Sequence, residues 1–205
     1  MRFSILAVLC VGVILNGCAS NASSNLSRLD FDIFRDNQTD EIFFVGRPTK
    51  IIDGDTIVLA HTIKIRMSGI DTPESKQMCN NENGDEYACG RAATEHLRQI
   101  TGDGRVKCKM IKYEKYGRNL MTCYTTDDTD IQAQMVRDGY AVVSPYEPDT
   151  YRDDETNARA AKQGIWVGKF LHPHCVRHQK KQDGKFKNLC RDKKYYTGWE
   201  NKFNK

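Results

Sequence analysis

Three charged side chains in the segment RMSGIDTPES, residues 66–75, have types and a spacing that suit phosphate chemistry. Arg66 is a fixed cation, Asp71 is a carboxylate of the kind that binds metal ions, and Glu74 is a second carboxylate. The segment also has a purely structural interpretation, because Thr72 followed by proline and glutamate is typical of a helix N-terminus. These ten residues alone leave both interpretations open.

Two more motifs supply groups that such a site would need. Asp55 lies in the sequence DGDT, which by itself indicates a turn. Asp55 would stand at the start of one strand and Asp71 at the end of a neighbouring strand, so the two carboxylates can meet at one rim of a small barrel. Two carboxylates and a backbone carbonyl form a hard-oxygen site that suits Ca²⁺ or Mg²⁺. Arg118, in the turn KYGRNL, adds a second guanidinium to that of Arg66. Two such groups beside a divalent cation suit a phosphate transition state.

The elements that must position these side chains are short strands and amphipathic helices. Runs of β-branched residues broken by turns predict strands near 42–52, 55–59 and 63–68, and alternation along the third turns Arg66 away from its apolar face. Helical spacing of apolar residues predicts a helix in CGRAATEHLRQIT, and DIQAQMVRDGY and DETNARAAKQGIW read as two more. With the hairpin described next, this order predicts a small β-barrel with helices packed outside.

The segments VKCKMIKY and RNLMTCY are predicted to form a hairpin that carries a disulfide. A register with Tyr113 opposite Arg118 places Cys108 directly opposite Cys123, and opposed Cβ atoms are close enough to bridge. The six cysteines that follow Cys18 allow fifteen pairings, and an oxidising compartment favours disulfides. Sequence neighbours are expected to form the other two bridges, Cys79–Cys89 and Cys175–Cys190.

The N-terminal residues predict export from the cytoplasm. A positive start and the apolar run Ile5–Leu15, which is too short to cross a membrane as a helix, indicate a signal peptide over residues 1–17. The sequence LNGC resembles a bacterial lipobox, so Cys18 is expected to carry lipid and anchor the chain in the membrane. The predicted location is the outer membrane of the cell envelope, with a periplasmic or secreted protein as the alternative. Residues 18–42 are rich in Ser, Asn and Asp and are predicted to be a tether.

Charge is distributed unevenly along the 205 residues. The composition, 39% hydrophobic and 28% charged, excludes a disordered chain, and the net charge of +4 permits a polyanionic partner without requiring one. Residues 171–205 contain ten Lys or Arg and three Asp or Glu, a net charge of +7, whereas residues 18–170 carry −4. Aromatic residues lie among the lysines of this C-terminal extension. It therefore suits contacts to phosphates and bases, or it is a solvated, partly ordered tail.

Five motifs resemble those of one family in order and spacing. DGDTIVL, IRMSGIDTPE, KYGRNL, MVRDGYA and ARAAKQGIW, within residues 44–168, resemble the thermonuclease family, the staphylococcal-nuclease-like phosphodiesterases. The resemblance implies an α+β, mainly β fold: a five-stranded OB-type barrel with three packed helices over residues 43–170. It also implies hydrolysis of DNA or RNA that cuts the P–O5′ bond and leaves 3′-phosphates, with one bound Ca²⁺.

The resemblance also assigns roles to individual residues. The calcium ligands would be two carboxylates and a backbone carbonyl, those of Asp55, Asp71 and Thr72. Glu74 would position or deprotonate the attacking water, and Arg66 and Arg118 would clamp the phosphate. Further substrate contacts would come from Lys115, Tyr116 and Tyr146. The alternative is a nucleic-acid-binding module that kept the OB fold and lost catalysis; in either case a monomer without a protein partner is expected.

Overall fold

The computed structural model describes residues 30–114, 118–147 and 149–177, together with the backbone of three short strands further along the chain. The strands are, in chain order, β1 (Phe31–Arg35), β2 (Ile42–Gly46), β3 (Pro48–Asp53), β4 (Thr56–Leu59), β5 (Ile63–Met67), β6 (Ile70–Asp71), β7 (Cys79–Asn80), β8 (Glu86–Tyr87), β9 (Val106–Glu114), β10 (Arg118–Tyr124), β11 (Val142–Val143), β12 (Phe170–Leu171), β13 (Lys180–Gln182), β14 (Lys185–Lys187) and β15 (Tyr196–Thr197). The helices are α1 (Cys89–Thr101), α2 (Ile131–Arg137), α3 (Arg152–Ala160) and α4 (Pro173–Arg177), with a 3-10 helix over Gly164–Val167.

Seven strands form one mixed sheet in the order β1-β2-β9-β10-β5-β4-β3, in which β5 and β10 run parallel. Strands β2 and β3 are far apart in this order, although Arg47 alone separates them along the chain. The sheet must therefore curl until its two sides approach each other, as in an OB-like fold. The predicted closed barrel of five strands is not found, because the pairings among the described strands join seven and leave β1 and β3 as edges.

Local chemistry explains why the predicted strand over residues 42–52 is divided at Arg47. Pro48 has no N–H to donate to a continuing ladder. A Cβ atom on Gly46 would lie 2.7 Å from the carbonyl oxygen of Asp30, so the backbones of these two segments approach each other too closely for a side chain at residue 46. The other two predicted strands agree with β4 and β5 to within one residue.

Strand β1 lies within the predicted tether over residues 18–42 and makes that part of it an ordered strand. Phe31–Arg35 pairs antiparallel with β2, and its aromatic side chains have partners on that strand. The ring centroids of Phe31 and Phe44 lie 6.2 Å apart, and Phe34 stacks on Phe43 at 5.3 Å. Ordering these residues is favoured because aromatic pairs bury area across neighbouring strands.

The hydrophobic core lies between the curled sheet and the helices. Ile57, Ile65 and Met67 of the sheet meet Leu97 of α1 and Met135 of α2, and each of these side chains is at most 1% exposed. The helical spacing that predicted α1 and α2 therefore reflects faces that pack on the sheet.

The third predicted helix is shorter than DETNARAAKQGIW. It forms α3 and then breaks, and a 3-10 helix begins at Gly164. Gly139, with φ of 73°, and Gly164, with φ of 51°, pass so closely that a Cβ on Gly139 would lie 2.2 Å from the carbonyl oxygen of Gln163. Glycine is needed at both positions, because the left-handed conformation and the approach exclude a side chain.

The hairpin of β9 and β10 contains the expected disulfide, although its register differs from the prediction at the turn. Cys108 faces Cys123, and the two form a disulfide with Cα atoms 4.0 Å apart. Near the turn Tyr113 faces Asn119 instead of Arg118, because the register shifts between Leu120 and Met121. Such a bulge adds one residue to one strand. The predicted pairing is therefore right at the cysteines and wrong at Tyr113.

A second disulfide joins Cys79 of β7 to Cys89 at the start of α1, with Cα atoms 5.6 Å apart. Cys175 of α4 is also disulfide-bonded, while its expected partner Cys190 lies outside the described residues, as does Cys18. No helix in the described part of the chain is long and apolar enough to cross a membrane.

Part of the C-terminal extension returns to the domain. Helix α4 begins two residues after β12, and β15 pairs antiparallel with β12 through Phe170↔Thr197 and Leu171↔Tyr196. Phe170 is 1% exposed. The extension is therefore ordered at these residues, which fits the alternative of a partly ordered tail.

Candidate active site

One guanidinium joins the two carboxylates that the sequence singled out. Asp55 lies in the tight turn between β3 and β4, Asp71 ends β6, and both are 1% exposed. Arg66 of β5 donates through Nη1 to Asp55 Oδ1, and its Nη2 lies 2.9 Å from Asp71 Oδ1. The predicted meeting of the two aspartates at one edge of the sheet is thus present, with Arg66 between them.

Thr72 supports Asp55 and does not start a helix. Residues 72–78 form a loop, so the interpretation of this segment as a helix N-terminus is wrong. The Thr72 N–H and hydroxyl donate to Asp55 Oδ2 at 3.0 Å and 2.9 Å. Gly54 makes this approach possible, since a Cβ there would lie 2.9 Å from the Thr72 side chain. The hydroxyl that could have capped a helix instead holds a buried carboxylate.

The loop that carries Glu74 is held from two sides. Its backbone N–H donates to Gln77 Oε1 at 3.1 Å, and its carbonyl oxygen accepts from the Gln77 N–H at 2.7 Å. On the other side lies Gly90 of α1, where a Cβ would come within 1.8 Å of the Glu74 carbonyl oxygen. Helix α1 therefore packs directly against the backbone of the loop, while the Glu74 side chain remains 35% exposed.

Gly90→Ala is expected to lower both the melting temperature and the activity, because the added Cβ must push the Glu74 loop away. Overpacking of this kind typically costs about 1–3 kcal/mol. Thermal unfolding and initial nuclease rates measure the two effects. Gly104→Ala is the matched control, since its Cβ would meet the Thr101 carbonyl oxygen at 3.3 Å and no catalytic loop. Equal behaviour of the two variants would show that α1 does not hold the loop.

Arg66 and Arg118 line one cavity of about 530 Å³. Arg118 is the first residue of β10, and Leu120 two residues later pairs with Arg66 in the parallel register. Because alternate residues of a strand share a face, both arginines point to the same side of the sheet. Asp71 and Tyr146 also line this cavity.

Of the predicted substrate contacts, Tyr146 lies at the rim of the cavity and is 74% exposed. Its ring centroid lies 5.6 Å from that of His174 in an edge-on arrangement. Lys115 and Tyr116, the other two, lie outside the described residues. Lys112 of β9 lines the cavity as well and was not predicted.

A third arginine, Arg177, reaches the site from the C-terminal extension. It is the last residue of α4, and its Nη1 and Nη2 donate to the two oxygens of Asp71 at 2.6 Å and 2.7 Å. Its Nη1 also donates to Glu74 Oε1 at 2.7 Å. The sequence offered no local signal for this contact, because Arg177 lies far from either partner in the chain and outside every motif.

Charges around the aspartates shift the pKa values of both arginines upward. Burial by itself lowers the pKa of Arg66, but the charges of Asp55 and Asp71 outweigh it and the net shift is upward. For Arg177 burial again opposes the charged form, and hydrogen bonds and charges from Asp71 and Glu74 raise the pKa well above its usual value. Both guanidiniums are therefore firmly charged at any physiological pH.

Two neighbouring groups carry less charge than their types suggest. Burial, followed by the Asp55 carboxylate, raises the pKa of Asp53 to about 7. Burial lowers the pKa of His172 to about 4, although the charge of Asp71 opposes this shift. At neutral pH the Asp53 carboxyl is partly protonated and the His172 imidazole is neutral.

The donor set fits a hard divalent cation. The carboxylates of Asp55 and Asp71 and the carbonyl of Thr72 are all oxygen donors, and water would complete the six to eight ligands that Ca²⁺ takes. Among the described residues no three His, Cys, Asp or Glu side chains are grouped to hold a metal ion. Each of the four oxygens of the Asp55 and Asp71 carboxylates already accepts a hydrogen bond, so a cation bound here must compete with these donors for the oxygens.

Buried carboxylates and converging arginines on an OB-like sheet are typical of an enzyme that hydrolyses phosphodiesters. A family model described as "Staphylococcal nuclease homologue" matches residues 64–168. The chain is 32% identical over 141 residues to an uncharacterized endonuclease of Escherichia coli O157:H7, covering 66% of this chain and 86% of that protein. It is 32% identical over 139 residues to micrococcal nuclease of Shigella flexneri, covering 60% and 74%.

A further relative is the succinoglycan biosynthesis protein ExoI of Rhizobium meliloti strain 1021, with 30% identity over 133 residues that cover 62% of this chain and 67% of that protein. The chain therefore belongs to the staphylococcal nuclease family and is a hydrolytic nuclease. Arg66, Asp71, Glu74 and Arg118 lie within the matched segment, whereas Arg177 lies beyond it.

Proposed function

We propose that this nuclease hydrolyses DNA, RNA or both with the help of one bound calcium ion and leaves 3′-phosphate ends. The observation that carries the proposal is a cavity lined by Arg66, Arg118 and Asp71. The buried carboxylate of Asp55 is bonded to Arg66 beside it, and Glu74 shares the Arg177 guanidinium with Asp71. The cavity is open to solvent on the side of Tyr146, so a strand of nucleic acid can pass across it.

Asp55, Asp71 and the carbonyl of Thr72 would hold the calcium ion. When bound, calcium supplies charge compensation for a phosphate oxygen and orients water. The hydrogen bonds from Thr72 to Asp55 keep that carboxylate fixed at the floor of the site. A fixed ligand loses little conformational freedom on binding, which favours a single geometry.

Arg66 and Arg118 would bind the phosphate from two neighbouring strands. Arg66 is already oriented by Asp55 and Asp71, so its guanidinium needs little rearrangement to meet the charge that develops on phosphate oxygens. Glu74 would position the attacking water or accept its proton. Its side chain is the more exposed of the carboxylates here, which leaves room for that water.

The remaining contacts concern binding and location. Tyr146 would stack on a base, since an exposed aromatic ring at the rim suits any base face. Lys115 and Tyr116 would contact phosphates. We further propose that residues 1–17 direct export, that Cys18 carries lipid and that the chain acts as an envelope-bound monomer. The disulfides favour an oxidising compartment and support this location.

Cleavage of a 5′-labelled single strand is expected to stop in a chelator and to return when Ca²⁺ is added back. The fragments should change mobility after phosphatase treatment, because each would carry a 3′-phosphate. Cleavage that continues in the chelator would contradict the calcium requirement, and fragments unchanged by phosphatase would contradict the assigned products. Binding of the strand in Ca²⁺ without cleavage would favour the alternative of an OB-type binding module.

A further inference from the structure

We propose that Arg177 of the C-terminal extension is a built-in counter-cation that occupies the acidic site of the calcium-free enzyme and competes with the metal ion. This inference rests on the calcium site of the proposed function. It assigns the extension a direct role in the active site, in addition to any contact with nucleic acid. Arg177 lies outside residues 64–168, the segment that matches the nuclease family, so that match assigns it no role.

The first support is the geometry of the contact with Asp71. The two terminal nitrogens of Arg177 lie 2.6 Å and 2.7 Å from the two carboxylate oxygens, the paired arrangement that makes arginine–carboxylate contacts strong. Arg66 takes the remaining place on Asp71 Oδ1 at 2.9 Å. A metal ion that binds Asp71 must share the carboxylate with both arginines or displace one of them. Arg177 is the larger obstacle, because it contacts both oxygens.

The second support is that Arg177 also covers Glu74. Its Nη1 lies 2.7 Å from Glu74 Oε1, so one guanidinium engages both a proposed calcium ligand and the proposed water-activating carboxylate. Three carboxylates, those of Asp55, Asp71 and Glu74, gather here against two guanidiniums. Calcium and Arg177 would neutralise the same charge, and two cations that need the same oxygens exclude each other.

The third support is the way in which the extension presents this side chain. Helix α4 is attached through β12, whose Leu171 carbonyl oxygen accepts from Gln77 Nε2 at 2.7 Å. Cys175, 1% exposed and disulfide-bonded, fixes the helix two residues before Arg177. The Arg177 side chain is itself 31% exposed, so it can swing into solvent on its long stem while α4 stays in place.

Calorimetric titration of Ca²⁺ into the full-length protein tests the competition. Arg177→Ala is expected to bind Ca²⁺ about tenfold more tightly than the parent protein, which corresponds to about 1.4 kcal/mol. Arg152→Ala is the control for net charge, because Arg152 pairs with exposed Asp149 away from the site. Its affinity should match that of the parent. Arg177→Lys, which keeps the charge and loses the paired contact, should lie between them.

A second measurement separates competition from a supporting role. In a chelator, Arg177→Ala should melt at a lower temperature than the parent, because Asp71 and Glu74 lose their counter-charge; added Ca²⁺ should then raise its melting temperature by more. If Arg177 instead positions the carboxylates for the metal, the variant will bind Ca²⁺ more weakly, and the proposal is overturned. Equal affinities would overturn it as well. Absence of Ca²⁺ binding in every variant would remove the calcium site itself, and the competition with it.

Discussion

Arg118→Ala is expected to lower the turnover number about a hundredfold or more while the melting temperature stays close to that of the parent protein. Arg118 lines the cavity from the start of β10, on the same face as Arg66. Loss of one preorganised donor to a developing negative charge typically costs about 3 kcal/mol. Initial rates at saturating Ca²⁺ measure the loss in the chemical step. A short oligonucleotide is used as the substrate because it makes few contacts with the protein outside the active site.

Arg98→Ala is the matched control for Arg118→Ala. Arg98 lies on the exposed side of α1, where it pairs with Glu95, and it does not line the cavity. The Arg98→Ala substitution removes the same positive charge from the protein as Arg118→Ala and should leave the turnover number unchanged. If Arg118→Ala keeps the turnover of this control, Arg118 does not act on the phosphate, and a clamp of two arginines is wrong.

Arg66→Ala should have a double effect, because Arg66 is also the counter-charge of the two buried aspartates. Turnover should fall at least as far as in Arg118→Ala. In addition, the calcium-free protein should lose about 3–5 kcal/mol of stability, the usual consequence of leaving buried charges without their partner. Added Ca²⁺ should restore part of this loss, since the ion can neutralise Asp55 and Asp71. Thermal unfolding in a chelator and in Ca²⁺ measures both parts.

Arg66→Lys separates the two effects of Arg66. Lysine keeps one positive charge near the aspartates, so most of the stability should remain, but a single ammonium cannot reach two carboxylates and a phosphate as the guanidinium does. Turnover should therefore stay low. A calcium-free Arg66→Ala protein that melts with the parent would mean that Arg66 does not hold the aspartates together.

Much of the site was predictable because its parts are close in sequence. The β4–β5 hairpin brings Asp55 to Arg66, and Asp71 follows only five residues after Arg66, at the end of β6. The disulfide Cys108–Cys123 was predictable for the same reason. The predicted register was wrong by one residue at Tyr113, and the bulge between Leu120 and Met121 shifts the pairing by one residue, so that the cysteines still face each other. Local periodicity therefore predicts which residues of a hairpin face each other, but it does not predict the position of a β-bulge.

Tertiary contacts account for the failures. Thr72 has the right chemistry to cap a helix, but a buried carboxylate from another turn accepts its hydroxyl hydrogen instead. Phe31 and Phe34 lie in a polar stretch and become a strand because β2 offers aromatic partners. Arg177 meets Asp71 and Glu74 across most of the chain, and no pattern in its neighbourhood indicates that meeting.

The order of strands in the main sheet has a consequence for how this chain folds. Strand β2 pairs with β9, as in Phe43↔Lys109. The N-terminal hairpin of β1 and β2 therefore cannot join the main sheet until the chain has been synthesised as far as β9. Topologies that depend on distant pairings fold slowly, because the connecting segment must be closed before any contact forms. The β9–β10 hairpin, by contrast, is local. It is expected to form first and to act as the template on which the N-terminal strands assemble.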